Sequence, residues 1–359
     1  MFANPTSTPN GFALHLIKAS TIRLKEIKWL WENRIPFGKL TLFVGNPGTA
    51  KSLVSTHIAA VITSGQKLYS SSSVAPAEVL IFASEDDWDD TIAPRLVAAG
   101  ADMDKISLEE MKSGPEMRLD RDIHIMREVL AENPKIQLVI IDPVSNYLGD
   151  TKMNDEQAVR RVLIPLKSVA EETSVAIVGI MHLNKKADLQ AIYRVGGATA
   201  FVGVARAIWG FCRDNNVPGE FQMLSIKQNI GKPAAGLKFK IDLKPVEIEG
   251  KAVPQPIIHW IGETDASAND GFAPPIRSAA STECDKAVEW LKAILSNAPN
   301  GTMRATEVLD GGIETGFSEM TLRRAKQKLD VQSEQRTDGW YWQLPDPDDQ
   351  SESGDHVTI

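Results

Sequence analysis

Residues 40–52 read LTLFVGNPGTAKS: a short apolar run, then the turn-rich GNPGTAKS, which closes on a lysine and a serine. The next residues, KSLVSTHIAAVITS, follow a helical pattern. A buried strand, a glycine loop and a helix start, in that order, are what a phosphate-binding loop requires. Backbone N–H groups of a tight loop and of a helix N-terminus converge on one concavity and favour an anion. On this reading Gly45, Asn46, Pro47, Gly48, Thr49, Ala50, Lys51, Ser52 and Leu53 bind the nucleotide. Gly45 and Gly48 give the backbone its freedom, Lys51 reaches the β- and γ-phosphates, and Ser52 holds Mg²⁺. Ala50 stands where the usual pattern has glycine, and its methyl group is tolerable only at a negative φ. The competing reading is a glycine-rich turn with a chance Lys-Ser pair.

Three further apolar strands end in groups that suit phosphate chemistry. LVIIDP places Asp142 where a carboxylate joins the Mg²⁺ shell, and it is the second metal-holding residue. LIFASEDD places Glu85 where it polarises an attacking water, though Asp86, Asp87, Asp89 and Asp90 also fit a plain acidic loop. IVGIMHLNK ends on His182, a neutral ring suited to sensing the γ-phosphate, or a structural strand end. Loop, Glu, Asp and His all fall at strand ends, so one sheet edge receives them, and ligands bind at that edge in open α/β folds.

Between residues 38 and 262 short apolar runs alternate with helical patterns, which predicts an α/β domain with a largely parallel sheet and a late antiparallel extension. The boundaries read as a flexible N-terminus over 1–19, an ATPase domain over 20–262, a Gly/Ala/Ser/Pro-rich linker over 263–282, a small module over 283–344, and an acidic disordered tail over 345–359. Trp29 and Trp31 pack under the sheet or touch a neighbour or base. The 359-residue chain is 43% apolar and carries a net charge of -8, so any nucleic acid must be held by a local basic surface. Two distant cysteines and an N-terminus without signal-peptide character fit a reducing cytoplasm, and no apolar run is long enough to span a membrane.

The loop resembles the GxPGxAKS variant of minichromosome-maintenance helicases. More broadly, residues 20–245 resemble RecA-like P-loop ATPases of the RepA hexameric-helicase type, through IKWLWENRIPFGKLTLFVGNPGTAKS, VLIFASEDD, LVIIDPVSNYLGD, IMHLNKK, RVGGATAFVGVARAIWGF and IKQN in order. The resemblance implies ATP and Mg²⁺ as cofactors, Lys51, Glu85, Asp142 and His182 as catalytic groups, and a homo-oligomeric ring, a hexamer in that family. It also implies Arg206 as a finger acting on the neighbour's site, with Lys227 as its companion.

The segment after His182 reads as a basic loop. Lys185, Lys186 and Arg194 would line a channel for single-stranded DNA. In the last module ECDKAVEWLKAILSN, RATEVLDGG and SEMTLRRAKQKL read as three helices, and DVQSEQRTDGWYWQLP as a hairpin turning at Asp338-Gly339. That α+β pattern resembles a winged helix, with Arg323, Arg324, Lys326 and Lys328 directed outward to duplex DNA; a protein-docking module is the alternative. The function expected is an ATP-driven DNA helicase or translocase of a plasmid, phage or mobile element. An ATP-gated DNA-binding assembly protein is the alternative. A metabolic kinase lacks any acceptor motif.

Overall fold

The computed structural model describes residues 16–71, 75–109, 117–184, 189–195, 199–273 and 283–345. The chain divides into two compact units between Pro274 and Pro275. The first opens with a two-stranded antiparallel pair, β1 (Trp29–Trp31) and β2 (Ile35–Pro36). Then follow β3 (Leu40–Gly45), α1 (Lys51–Ser64), β4 (Glu78–Ala83), α2 (Ala93–Ala99), β5 (Ile106–Leu108), α3 (Ile123–Glu132), β6 (Ile136–Asp142), α4 (Glu156–Thr173), β7 (Ala176–His182), α5 (Thr199–Val204), β8 (Ala207–Arg213), β9 (Glu220–Gln228), β10 (Gly236–Ile248), β11 (Lys251–Thr264) and a short turn of helix, α6 (Ala268–Gly271).

Nine strands form one sheet in the order β11-β10-β9-β8-β3-β7-β6-β4-β5. The six from β8 to β5 are parallel, and β9, β10 and β11 extend the sheet antiparallel. Every residue of β3 is buried, because its side chains alternate between two covered faces. Leu40, Leu42 and Val44 enter a core with Leu163 and Leu166 of α4 and Phe201 of α5. Phe43 enters the opposite core, with Val54 and Ile58 of α1 and Trp31 of β1. Asp155 caps α4 by accepting from the Ala158 N–H at 2.9 Å, and Gly65 closes α1 at φ 71°.

Two strands of the nine-stranded sheet escape the sequence pattern. Edge strand β5 has three residues, too few for a periodicity. The other, β11, is the longest strand but contains Pro254 and Pro256, which argue against an interior strand; as the free edge it needs no second row of N–H donors. The first unit also outruns the expected boundary at 262. Phe272 is buried, and an added Cβ at Gly210 would lie 2.4 Å from its ring. The rest of the expected linker, 274–282, the tail at 346–359 and residues 1–15 lie outside the described residues. Trp31 is buried and donates to the Tyr69 carbonyl at 2.9 Å, and Trp29 packs on Gly231, so both tryptophans are engaged internally.

The second unit runs α7 (Glu283–Ser296), β12 (Thr302–Arg304), α8 (Ala305–Glu314), α9 (Glu319–Lys328), β13 (Gln332–Arg336) and β14 (Gly339–Gln343). Its antiparallel sheet has the order β12-β14-β13. Ala287, Leu291 and Leu295 of α7 meet Val308, Leu322, Ala325 and Trp342 in one core. Ser318 caps α9, as its sequence position suggests. Two details differ from expectation. The glycine pair 311–312 does not end α8: an added Cβ at Gly312 would lie 2.5 Å from Leu322, so the missing side chain lets α9 approach. The hairpin turns at Thr337-Asp338, with Arg336 paired to Gly339.

Candidate nucleotide site

Strand register gathers the expected groups at one edge. Gly45 lies opposite His182 across the β3–β7 pair, and Ala83 lies opposite Asp142 across the β4–β6 pair, two residues before Glu85. Parallel strands end on the same side of the sheet, so the loop, Glu85, Asp142 and His182 share its carboxyl edge. A cleft of about 490 Å³ there is lined by residues 47–53, Glu85, Asp86, Arg95, Asp142, Ile180 and His182, and by Ile241 and Pro256 of the antiparallel extension.

The loop is closely built. An added Cβ at Gly45 would lie 2.4 Å from the Phe211 carbonyl, so no larger residue fits there. Gly48 has φ 71°, and the Thr49 hydroxyl donates to the Asn46 carbonyl at 2.8 Å. Ala50 overturns the expectation of a negative φ: it sits at φ 64°, ψ 23°. A left-handed alanine costs on the order of 1 kcal/mol. Its methyl group packs against the core that holds α1, which offsets part of that cost.

Lys51 is buried, and its ammonium donates to the carbonyls of Gly45 at 3.0 Å and Asn46 at 2.9 Å. Burial pulls its pKa down to about 8, against the opposing pull of Asp142 and Glu85. Burial pushes the Asp142 carboxyl up to about 6; the Ser52 hydroxyl bonded to it resists the rise, and Glu85 and Asp86 add to it. An oxygen donor set of one hydroxyl and one carboxylate that resists carrying its own charge fits a hard divalent cation. Among the described residues no cluster of three or more His, Cys, Asp or Glu could hold a metal alone. Mg²⁺ keeps several waters and takes substrate phosphates as ligands, so Ser52 and Asp142 suffice.

Two cations of the site carry no sequence signal. Arg95, on α2, lines the cleft and pairs with Asp86 at 2.7 Å. Arg213, the last residue of β8, donates to the Gly48 carbonyl at 3.2 Å and lies over the Phe221 ring.

Arg206 stands elsewhere. It precedes β8 and donates its N–H to the Leu40 carbonyl at 3.0 Å, at the opposite end of β3 from Gly45. Lys227 lies close by and caps α5, donating to the carbonyls of Val202 and Ala205. Burial, then the nearby Arg206 charge, lowers the Lys227 pKa. Arg194 is a correction: it is buried, donates to the Phe272 carbonyl at 3.1 Å and lies over the Phe272 ring, so it cannot line a DNA channel. Lys185 and Lys186 lie outside the described residues.

On α9, Arg323 pairs with Glu319 at 2.6 Å and Lys328 with Asp285 at 2.8 Å. Lys326 reaches the Ser333 hydroxyl and lies over the Trp342 ring, turned toward its own hairpin instead of outward. Arg324 is exposed.

A strand–loop–helix with a lysine at the head of the helix, at the carboxyl edge of a parallel sheet that also presents Glu85 and Asp142, defines a P-loop ATPase fold. Residues 9–188 match the model of the AAA_25 family, an AAA domain, and the chain belongs to that family. Among solved structures, the crystal structure of the RadB recombinase is similar at 12% identity and a TM-score of 0.43, over 58% of this chain and 89% of that one. No curated protein matches. No helix among the described residues is long and apolar enough to cross a membrane.

Proposed function

We propose that this chain is an ATP-driven DNA helicase or translocase of the RepA-like type, working as a homo-hexameric ring in the cytoplasm, in replication of a plasmid, phage or other mobile element. One observation carries the ring: Arg206 cannot reach its own loop. Strand β3 lies between them, about 16 Å at roughly 3.3 Å per residue. If Arg206 takes part in phosphoryl transfer, it does so at a neighbour's site, where it meets the charge that develops in the reaction. Lys227 fixes the corner from which Arg206 projects.

Within one subunit Lys51 and the loop amides hold the triphosphate, and Ser52 and Asp142 would hold Mg²⁺, which would supply charge neutralisation at the phosphates. Glu85 orients the attacking water and draws its proton. His182 meets the γ-phosphate, and the segment that follows it, with Lys185 and Lys186, contacts single-stranded DNA. Loss of the γ-phosphate then shifts the DNA-contacting segment through His182.

The second unit is read as a winged helix. Its order of helix, strand, two helices and hairpin supports this, and α9 with Arg324 would face a duplex.

Dilution tests the ring: ATPase rate per chain falls on dissociation, and Arg206→Ala lowers turnover about 10²-fold or more with ATP affinity kept. A rate per chain that stays flat through dissociation removes the ring. Strand displacement with Glu85→Gln as control tests the motor. DNA-stimulated turnover without displacement would leave the ATP-gated assembly protein.

A further inference from the structure

The antiparallel hairpin β10–β11 carries an apolar surface that the phosphate chemistry does not use. Paired residues of the two strands share a face. Phe239 pairs with Trp260, Ile241 with Ile258, and Leu243 with Pro256. Trp260 donates its indole N–H to His57 of α1 at 3.2 Å, which turns this face toward α1. Each following pair stands nearer the start of α1, where the loop lies. Ile241 and Pro256 line the same cleft as Lys51 and Asp142. Yet Ile241 is 37% exposed and Leu243 is 68% exposed. Apolar side chains left open beside a phosphate loop have nothing to offer a phosphate and fit a flat ring.

We propose that Ile241, Leu243 and Pro256 form the platform for the base of the bound nucleoside triphosphate, and that this platform does not distinguish adenine from guanine. The proposal rests on the triphosphate reading of the cleft. None of the three side chains carries a hydrogen-bonding atom. The polar residues of this part of the hairpin fall at the alternate positions: Lys240 and His259, both beside Asp242, and Lys244 opposite Gln255. A surface of this kind senses ring area but not the pattern of donors and acceptors on the ring edge. Apolar contacts discriminate by about 10–200-fold at most, whereas sites that hydrogen-bond a substrate reject the wrong one by 10⁴ or more. The substrate class is therefore the purine nucleoside triphosphates, with pyrimidines weaker because their rings cover less of the platform.

Equilibrium binding with Mg²⁺ present tests this with ATP, GTP, CTP and inorganic triphosphate, which has no base. The wild-type chain is expected to bind ATP and GTP within about tenfold of each other, and CTP more weakly. Ile241→Asp is expected to weaken ATP and GTP about tenfold or more and to leave inorganic triphosphate unchanged; Ile241→Leu restores both nucleotides. Preference for ATP over GTP by more than about 10³-fold overturns the permissive platform, even if no variant folds. So does an Ile241→Asp variant that weakens inorganic triphosphate as much as ATP, because the defect then lies in the phosphate loop. Failure of all four ligands to bind the wild-type chain overturns the triphosphate reading itself.

Discussion

At the carboxyl edge of the parallel sheet, Lys51 and Asp142 carry charges that burial opposes, whereas on α9 Arg323 and Lys328 lie exposed, each beside an acid of its own unit. The first pair has no complete set of partners inside the protein. Lys51 rests on two loop carbonyls, and Asp142 has one serine hydroxyl, with Glu85 and Asp86 repelling it. A ligand bringing phosphates and a cation relieves both. The α9 ion pairs are satisfied without any ligand, and exposed pairs of that kind contribute 0–1 kcal/mol. Backbone strain does not follow this division: Ala50 in the loop is left-handed, but so is Asp330 just after α9. The electrostatic cost is what separates the two regions, concentrated at the cleft and largely offset by local pairing on α9.

The largest effect expected at the sheet edge comes from its carboxylates. Glu85→Gln is expected to lower turnover by about 10²–10⁴-fold without loss of nucleotide binding. Asp142→Asn is expected to abolish Mg²⁺-dependent turnover and yet to raise unfolding stability at pH 7 by about 1–2 kcal/mol, because a buried charge is removed. Denaturant melts of the two proteins measure the second part. A less stable Asp142→Asn variant would show that the carboxylate is satisfied as it stands, and the contrast with α9 would fail.

Acidity sharpens the contrast next. The folded chain holds the Asp142 proton up to about pH 6, above the ordinary carboxylate value of 3.8. Its stabilising contribution is therefore full below pH 3.8 and is lost as pH rises through about 6. Metal binding must displace that proton. The Mg²⁺ concentration for half-maximal turnover should rise about tenfold per pH unit below 6, and EDTA should stop turnover at every pH. Asp142→Asn loses this part of the pH dependence of the melt.

Ala50→Gly comes third. It relieves the positive φ but gives up methyl packing, so the expected gain is about 1 kcal/mol or less in a thermal melt, with ATPase activity kept. The smallest effect belongs to α9. Arg323→Ala should change stability by less than about 1 kcal/mol. Arg324→Ala should lower the salt dependence of duplex binding by about one ion, if α9 meets a phosphate there. A large loss of stability from Arg323→Ala would make the α9 pairs structural and close the gap between the two regions.

The core of the site was legible because a strand covered on both faces is apolar nearly throughout, and such a run is local. LTLFVG, VLIFAS, IQLVIID and SVAIVGIMH announce buried strands by themselves, and Gly45, Glu85, Asp142 and His182 sit at or just after their ends. Arg194 misled because a basic residue in a Gly-rich loop looks solvated; Phe272, 78 residues away, covers it. Arg95 and Arg213 were invisible for the converse reason, since only sheet order and the seating of α2 bring them to the cleft. The prolines of β11 hid the strand that supplies one wall of the cleft, because their tolerance depends on that strand being an edge.

The sequence by itself determined which strands must lie inside and which groups stand at their ends, because an apolar run covered on both faces is legible over a few residues. Tertiary structure alone decided that Arg206 lies at the far end of β3 from the loop, that Arg194 is buried, and that Ile241 and Pro256 line the cleft. Those facts depend on the order in which nine strands pair and on how a hairpin curls over α1, and distant contacts fix both.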